Sequence, residues 1–192
     1  MSNETDENIV NLGPLAGLVG TWEGDAGTDI SPGVPDRLKT DTSKFRGKWT
    51  FTPIGKAENH DQRLYGLACT TTAWRLSNGQ PFHEQTGYWL WDAAHKQVLC
   101  TFVVPRGISI QAGATVQPGD KNFDLVAQIG SETYGICQNP FLHENFKVVR
   151  YGLKLKLNND GSFDYEQNTQ MQVKGRSELF NHTDANHLKR LS

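Results

Sequence analysis

A chain of 192 residues holds one ordinary domain and can bury a core without disulfides or a structural metal. Nineteen Lys and Arg stand against 21 Asp and Glu, a formal net charge of −2 with no long run of one sign, which argues against the basic surface that nucleic acid or an anionic membrane requires. Nineteen Gly, a 10% aromatic share and five Trp, without long windows of helical period, point to β structure.

Residues 1 to 11 are acidic and polar. They resemble neither a secretory signal nor a transit peptide, so a disordered lead to a single domain over 12 to 192 is predicted, in a cytosolic protein. Gly13-Pro14-Leu15-Ala16-Gly17-Leu18-Val19 places Pro at a helix start and Leu15, Leu18 and Val19 on one face, predicting a turn or two of helix as a lid. Val19 to Gly27 reads as a glycine-rich strand, and Thr28 to Thr42, with Pro32, Gly33 and Pro35, as a long loop. Phe45, Gly47, Trp49 and Phe51 alternate with Arg46, Lys48 and Thr50, the pattern of a strand with one wet face.

Further strands are predicted over 64–75, 81–91, 97–104, 107–116, 123–129, 146–157 and 162–173. Asn158-Asn159-Asp160-Gly161 is the strongest hairpin signal. Along the strand that follows it, Tyr165, Gln167, Thr169, Met171 and Val173 share one face, a half-polar surface suited to a cavity that is not purely apolar. Nine or ten strands without a helical crossover form a meander. An all-β, closed antiparallel up-and-down barrel of about ten strands with a short N-terminal helix is favoured over a sandwich, for which only 28–42 and 130–145 could supply long returns. A barrel of that width tends to enclose a ligand cavity, so function is sought inside it.

The nucleophile-elbow, P-loop, dinucleotide and zinc-protease motifs are absent. Cys69, Cys100 and Cys137 lack metal-ligand spacing and read as reduced thiols. Among the histidines, His60 and His95 lie in polar turns and His143 in a mixed loop, where solvation or a structural bond suffices. His83 sits in a strand with alternating faces and points either into the barrel or to water. His182 and His187 follow the last predicted strand, in a segment where Asp184 could cap a short terminal helix. Their five-residue gap is a poor zinc chelate, yet either one alone could serve as a single axial ligand to haem iron.

Gly20-Thr21-Trp22-Glu23-Gly24, preceded by Pro14-Leu15-Ala16-Gly17-Leu18, resembles the opening Gly-x-Trp-x-Gly signature of the nitrobindin family, barrels once described as fatty-acid-binding-protein-like. His83-Glu84-Gln85-Thr86-Gly87-Tyr88 is similar to that family's His-x-x-Ser/Thr-Gly-Tyr strand, and a histidine shortly after the last strand is a third match. The resemblance implies a ten-stranded barrel binding ferric haem b through one C-terminal histidine and reacting with nitric oxide and peroxynitrite, which would make the protein a peroxynitrite isomerase. It implies His83 on the distal side and Met171 in the pocket wall. Ala26 replaces the family's third glycine, and Ser31 is the nearest hydroxyl to its Tyr-Pro-Thr segment. His182 is preferred as iron ligand because it is nearer Met171, although His187-Leu188-Lys189 looks like the family's His-Leu-Lys ending. The alternative is a haem-free barrel binding a small hydrophobic or amphiphilic molecule.

Overall fold

A computed structural model describes residues 9–191; the segment 1–8, and with it most of the expected disordered lead, lies outside the described residues. A short 3₁₀ helix, Gly13–Leu18, precedes strands β1 (Gly20–Pro32), β2 (Thr40–Asn59), β3 (Gln62–Arg75), β4 (Pro81–Asp92), β5 (Gln97–Val104), β6 (Ile108–Thr115) and β7 (Asn122–Gln128). A three-residue β8 (Ile136–Gln138) and helix α1 (Pro140–Asn145) lead into β9 (Phe146–Leu157), β10 (Ser162–Val173) and β11 (Phe180–Arg190).

Neighbours run β5-β4-β3-β2-β1-β11-β10-β9-β7-β6, and β5 pairs with β6 to close the ring. The result is the antiparallel up-and-down barrel expected from the meander, with β8 added beside the start of β6. Closure leaves no edge strand in the ring.

One end is plugged. Leu15 and Leu18 of the 3₁₀ helix are fully buried, and the indole Nε1 of Trp22 donates to the Leu18 carbonyl at 2.7 Å. Gly13 enters that helix at φ +55°, and a Cβ there would stand 2.5 Å from the Trp91 ring, so the plug can seat only on glycine. Edge-to-face contacts join Trp22 to Phe163 at 5.0 Å and Phe51 to Trp89 at 5.8 Å. These rings, with Trp49, Trp91 and Phe123, fill the lumen behind the plug, which leaves the opposite end, the mouth, for a ligand.

A bulge in β1 sets which residues face the lumen. Gly24 pairs with Gly47 but Gly27 with Phe45, one residue out of step, and the pairing with β11 slips between Glu23 and Thr28. Alternation is thereby inverted: Trp22 is buried on one side of the bulge and Asp29 on the other, though they stand an odd number of positions apart. A Cβ on Gly24 would come 2.0 Å from the His187 carbonyl oxygen. The Asn186 amide bridges the distortion, donating to Gly24 O at 3.1 Å and accepting from His187 N–H at 2.8 Å.

Two expectations are corrected. Thr28 to Thr42 is not one long loop, because Thr28 to Pro32 continues β1 and Thr40 to Thr42 begins β2, paired from Thr28↔Lys44 to Pro32↔Thr40. The turn-forming Gly33 and Pro35 occupy only the connection. The terminal segment is likewise strand β11, not a helix capped by Asp184. Lying between β1 and β10, it satisfies the backbone groups of both, which outweighs its weak strand propensity.

Trp22→Ala should lower the unfolding free energy by about 3–5 kcal/mol, the usual range for emptying a buried aromatic site. Denaturant titration of the two proteins measures this, and an unchanged midpoint would show that the indole is not the plug.

Candidate functional site

Strands β1, β3, β5 and β10 end at the mouth, where β2, β4, β6, β9 and β11 begin. On β11, Phe180, His182, Asp184, Asn186 and Leu188 take the lumen face. His187, an odd step from His182, faces outward, and its Nδ1 lies 2.7 Å from Asp164 Oδ1 on β10. The two candidate ligands thus sit on opposite sides of the wall.

His182 meets a buried carboxylate. Its Nε2 is 2.8 Å from Asp29 Oδ1, and the side chains are 30% and 5% exposed. Ser31 Oγ donates to the other Asp29 oxygen at 2.9 Å, and Arg75 Nη1 donates to Ser43 Oγ at 2.9 Å, the latter hydroxyl being 3.5 Å from the same oxygen. Burial disfavours both ions, but their mutual hydrogen bond and charge prevail: Asp29 is held below the usual carboxylate range and His182 above the usual imidazole value. They stand as an ion pair.

Two residues further along β11, Asp184 accepts from Gln167 Nε2 at 2.8 Å, and Gln167 Oε1 accepts from the Tyr151 hydroxyl at 2.8 Å. Burial pushes the Asp184 pKa up to about 6, against the pull of His182. His83 takes the lumen face of β4, with Nε2 3.2 Å from Gln85 Oε1. Burial pushes its pKa down, and the nearby His182 charge adds to that effect. Met171 lies in an apolar group with Val148, Val173 and Phe180, against which Phe146, Ile108 and Ile136 pack.

The structure therefore brings together His83, Ser31, Met171 and His182 at the mouth and excludes His187. Gly20, Trp22 and Gly24 serve the plug and the bulge. His143 is exposed on α1, and His95 pairs with Asp92 in a turn. Asp29 escaped the sequence reading because it lay in a presumed loop; Asp184, read there as a helix cap, lies instead on the lumen face of β11, and the carboxylate bonded to His182 is Asp29. Cys69 and Cys100 are buried thiols, Cys69 with its pKa raised by burial to about 12. Among the described residues no group of three His, Cys, Asp or Glu side chains is placed to hold a metal ion. A groove of about 460 Å³ lies on the outer wall between Gly113, Val126 and Tyr134, and its lining carries no charged group or imidazole.

A closed barrel with an aromatic plug and two lumen-facing histidines, His83 and His182, at its mouth is an architecture that can hold a small molecule. Residues 11–190 match the family model of the THAP4-like, heme-binding beta-barrel domain, and the chain belongs to that family, in agreement with the nitrobindin resemblance of its Gly-x-Trp-x-Gly and His-x-x-Thr-Gly-Tyr segments. The fold is similar to the crystal structure of Rv2717c from M. tuberculosis, with a TM-score of 0.69 and 21% identity over 95% of this chain and 98% of that one. No curated protein matches.

The sign of the Asp29–His182 contribution to stability follows from the two shifts. A depressed Asp29 pKa stabilises above the unfolded carboxylate value of 3.8 and is lost as pH falls through the lower folded value. A raised His182 pKa stabilises below the unfolded 6.5 and is lost as pH rises through the higher folded value. In the haem-free protein, Asp29→Asn should destabilise by about 1–3 kcal/mol between roughly pH 4 and 6.5 and by less above. Denaturant midpoints across that range measure the difference, and a pH-independent effect would show that the pair is not ionised.

Proposed function

We propose that the chain binds haem b at the barrel mouth with His182 as the axial ligand of ferric iron. The observation that carries this reading is the single lumen-facing imidazole of β11 beside the apolar wall of Met171, Val148 and Phe180. With no triad of protein donors among the described residues, iron held here needs four ligands of its own, as a porphyrin supplies, plus one from the chain. The family description as heme-binding supports the same reading.

The residues fit the group with one exchange. Asp29 holds Nε2 of His182, so ligation through that nitrogen, in place of Nδ1, requires Asp29 to release it. The bound haem would supply ferric iron that reacts with nitric oxide and isomerises peroxynitrite to nitrate. His83, kept neutral by burial, can then give or take a hydrogen bond at the distal side without ligating. Ser31 steadies Asp29, and Met171 with its apolar neighbours limits water. A cytosolic location accords with the unpaired, buried Cys69 and Cys100, and no described helix is long and apolar enough to cross a membrane.

The Asp29 bond also favours a second reading, a haem-free barrel for an amphiphilic molecule, since the pair already satisfies His182. Native mass spectrometry of the purified protein separates the two: retained haem supports the first, a retained lipid or metabolite the second.

Titrating haemin and following the Soret band tests the ligand assignment. His182→Ala should abolish the histidine-ligated ferric spectrum, while His187→Ala and His83→Leu keep it, the latter with altered nitric oxide binding. Loss of the spectrum in His187→Ala alone would overturn the assignment. Asp29→Ala should tighten haemin binding about tenfold, the equivalent of one charge-assisted hydrogen bond no longer displaced. Weaker binding would mean that Asp29 supports ligation.

A further inference from the structure

Four guanidinium groups surround the mouth: Arg37 in the β1–β2 turn, Arg75 at the end of β3, Arg106 in the β5–β6 turn and Arg176 in the β10–β11 turn. None has a carboxylate at ion-pair distance among the described residues, whereas Arg46 and Arg63 elsewhere pair with Glu23 and Glu58. Most local acids are already engaged: Asp29 with His182, Asp36 and Asp41 with the Leu38 and Val34 N–H groups, and Glu144 with Lys174, while Glu178 in the β10–β11 turn forms no ion pair with a described residue.

Two of the four converge. Arg37 and Arg106 lie over the Phe146 ring, 5.1 and 4.9 Å from its centroid. Phe146 in turn packs against the group containing Met171, Val148 and Phe180. Arg37 donates to the neutral Asn145 side chain at 3.0 Å, and Arg176 fixes the turn that carries it by donating to the Arg37 and Lys39 carbonyls at 3.2 and 2.7 Å. The Arg106 guanidinium is exposed, donates to no acceptor among the described residues, and lies near enough for its charge to act on His182.

We propose that Arg37 and Arg106 form a carboxylate-binding rim that takes the two propionates of haem while the macrocycle rests on the Met171 wall. This rests on the haem reading and adds to it the part of the ligand recognised at the mouth. Stacked guanidinium forks match carboxylates in pairs of parallel hydrogen bonds, and haem carries both acids on one edge, opposite its apolar edge. Arg176 is a positioning residue.

The test compares haemin, its dimethyl ester and metal-free protoporphyrin IX on wild type, Arg106→Gln, Arg37→Gln/Arg106→Gln and the outer-surface control Arg63→Gln. Gln keeps much of the aliphatic stem over Phe146 and removes the charge. Wild type should bind haemin at least about tenfold more tightly than the diester, as expected for lost charged hydrogen bonds. The double variant should lose that preference and bind the diester as wild type does. Metal-free protoporphyrin should weaken in parallel, which separates the rim from iron ligation, and Arg63→Gln should change nothing. Equal wild-type affinity for haemin and diester, a comparison that needs no variant to fold, overturns the rim and leaves the haem reading standing. So does an unchanged preference in the double variant. If wild type takes up none of the three porphyrins, the haem reading fails and the rim with it.

Discussion

The bulge between Gly24 and Gly27 is the constraint on which the site depends. A strand alternates strictly, so a β1 without the extra residue could turn Trp22 inward or Asp29 inward, but not both. The plug needs the indole at one end of the barrel and the mouth needs the carboxylate at the other. One inserted residue reconciles them, and glycine is required because the His187 carbonyl closes on Gly24. Asn186 supplies hydrogen bonds that the distorted ladder cannot. Structure at the closed end and chemistry at the open end are thus joined through a single local distortion.

From that parity follows the electrostatics of the mouth. Asp29 reaches His182 because β1 and β11 are neighbours and both side chains point inward, and the ion pair forms in a setting where burial opposes each charge separately. The second carboxylate, Asp184, has no cation of its own and keeps a raised pKa, softened by Gln167 and Tyr165. Two carboxylates close to one imidazolium, with His83 uncharged nearby, leave the interior net negative above about pH 6. The uncompensated positive charge belongs to the rim, where an acidic ligand would enter.

Much of the barrel was legible in the sequence. The alternation through Phe45, Trp49 and Phe51, the Asn-Asn-Asp-Gly turn and the shared face of Tyr165 to Val173 are local signals, and each corresponds to an observed element. Two strand segments were not legible, for different reasons. Thr28 to Pro32 is rich in turn-forming and polar residues, and the bulge inverts its parity, so no periodicity carries over from Trp22. Phe180 to Arg190 reads Asn-His-Thr-Asp-Ala-Asn-His at its centre, with little strand propensity, and is a strand because two neighbours offer it complete ladders. Once it is a strand, the five-residue gap between His182 and His187 stops being a poor chelate spacing and becomes a statement that they lie on opposite faces. The arginine rim was invisible for another reason: Arg37 and Arg106 come from separate connections, β1–β2 and β5–β6, and meet only through the fold.

The Asp29–His182 pair places stability and ligand binding in opposition. A buried ion pair contributes little net stability over an apolar replacement but makes either partner expensive to strip of the other. On the haem reading, ligation through Nε2 of His182 would work against a bond that Ser31, Ser43 and Arg75 help to hold. Asp29 and these three residues raise the threshold for a ligand at the mouth, so a ligand that succeeds needs further binding energy from elsewhere on its surface. Apolar contact with Met171 and Phe180 can supply part of it, and acid groups meeting Arg37 and Arg106 the rest. On this view the site selects for molecules that present a metal, an apolar body and carboxylates together, because each feature alone leaves the Asp29 bond intact.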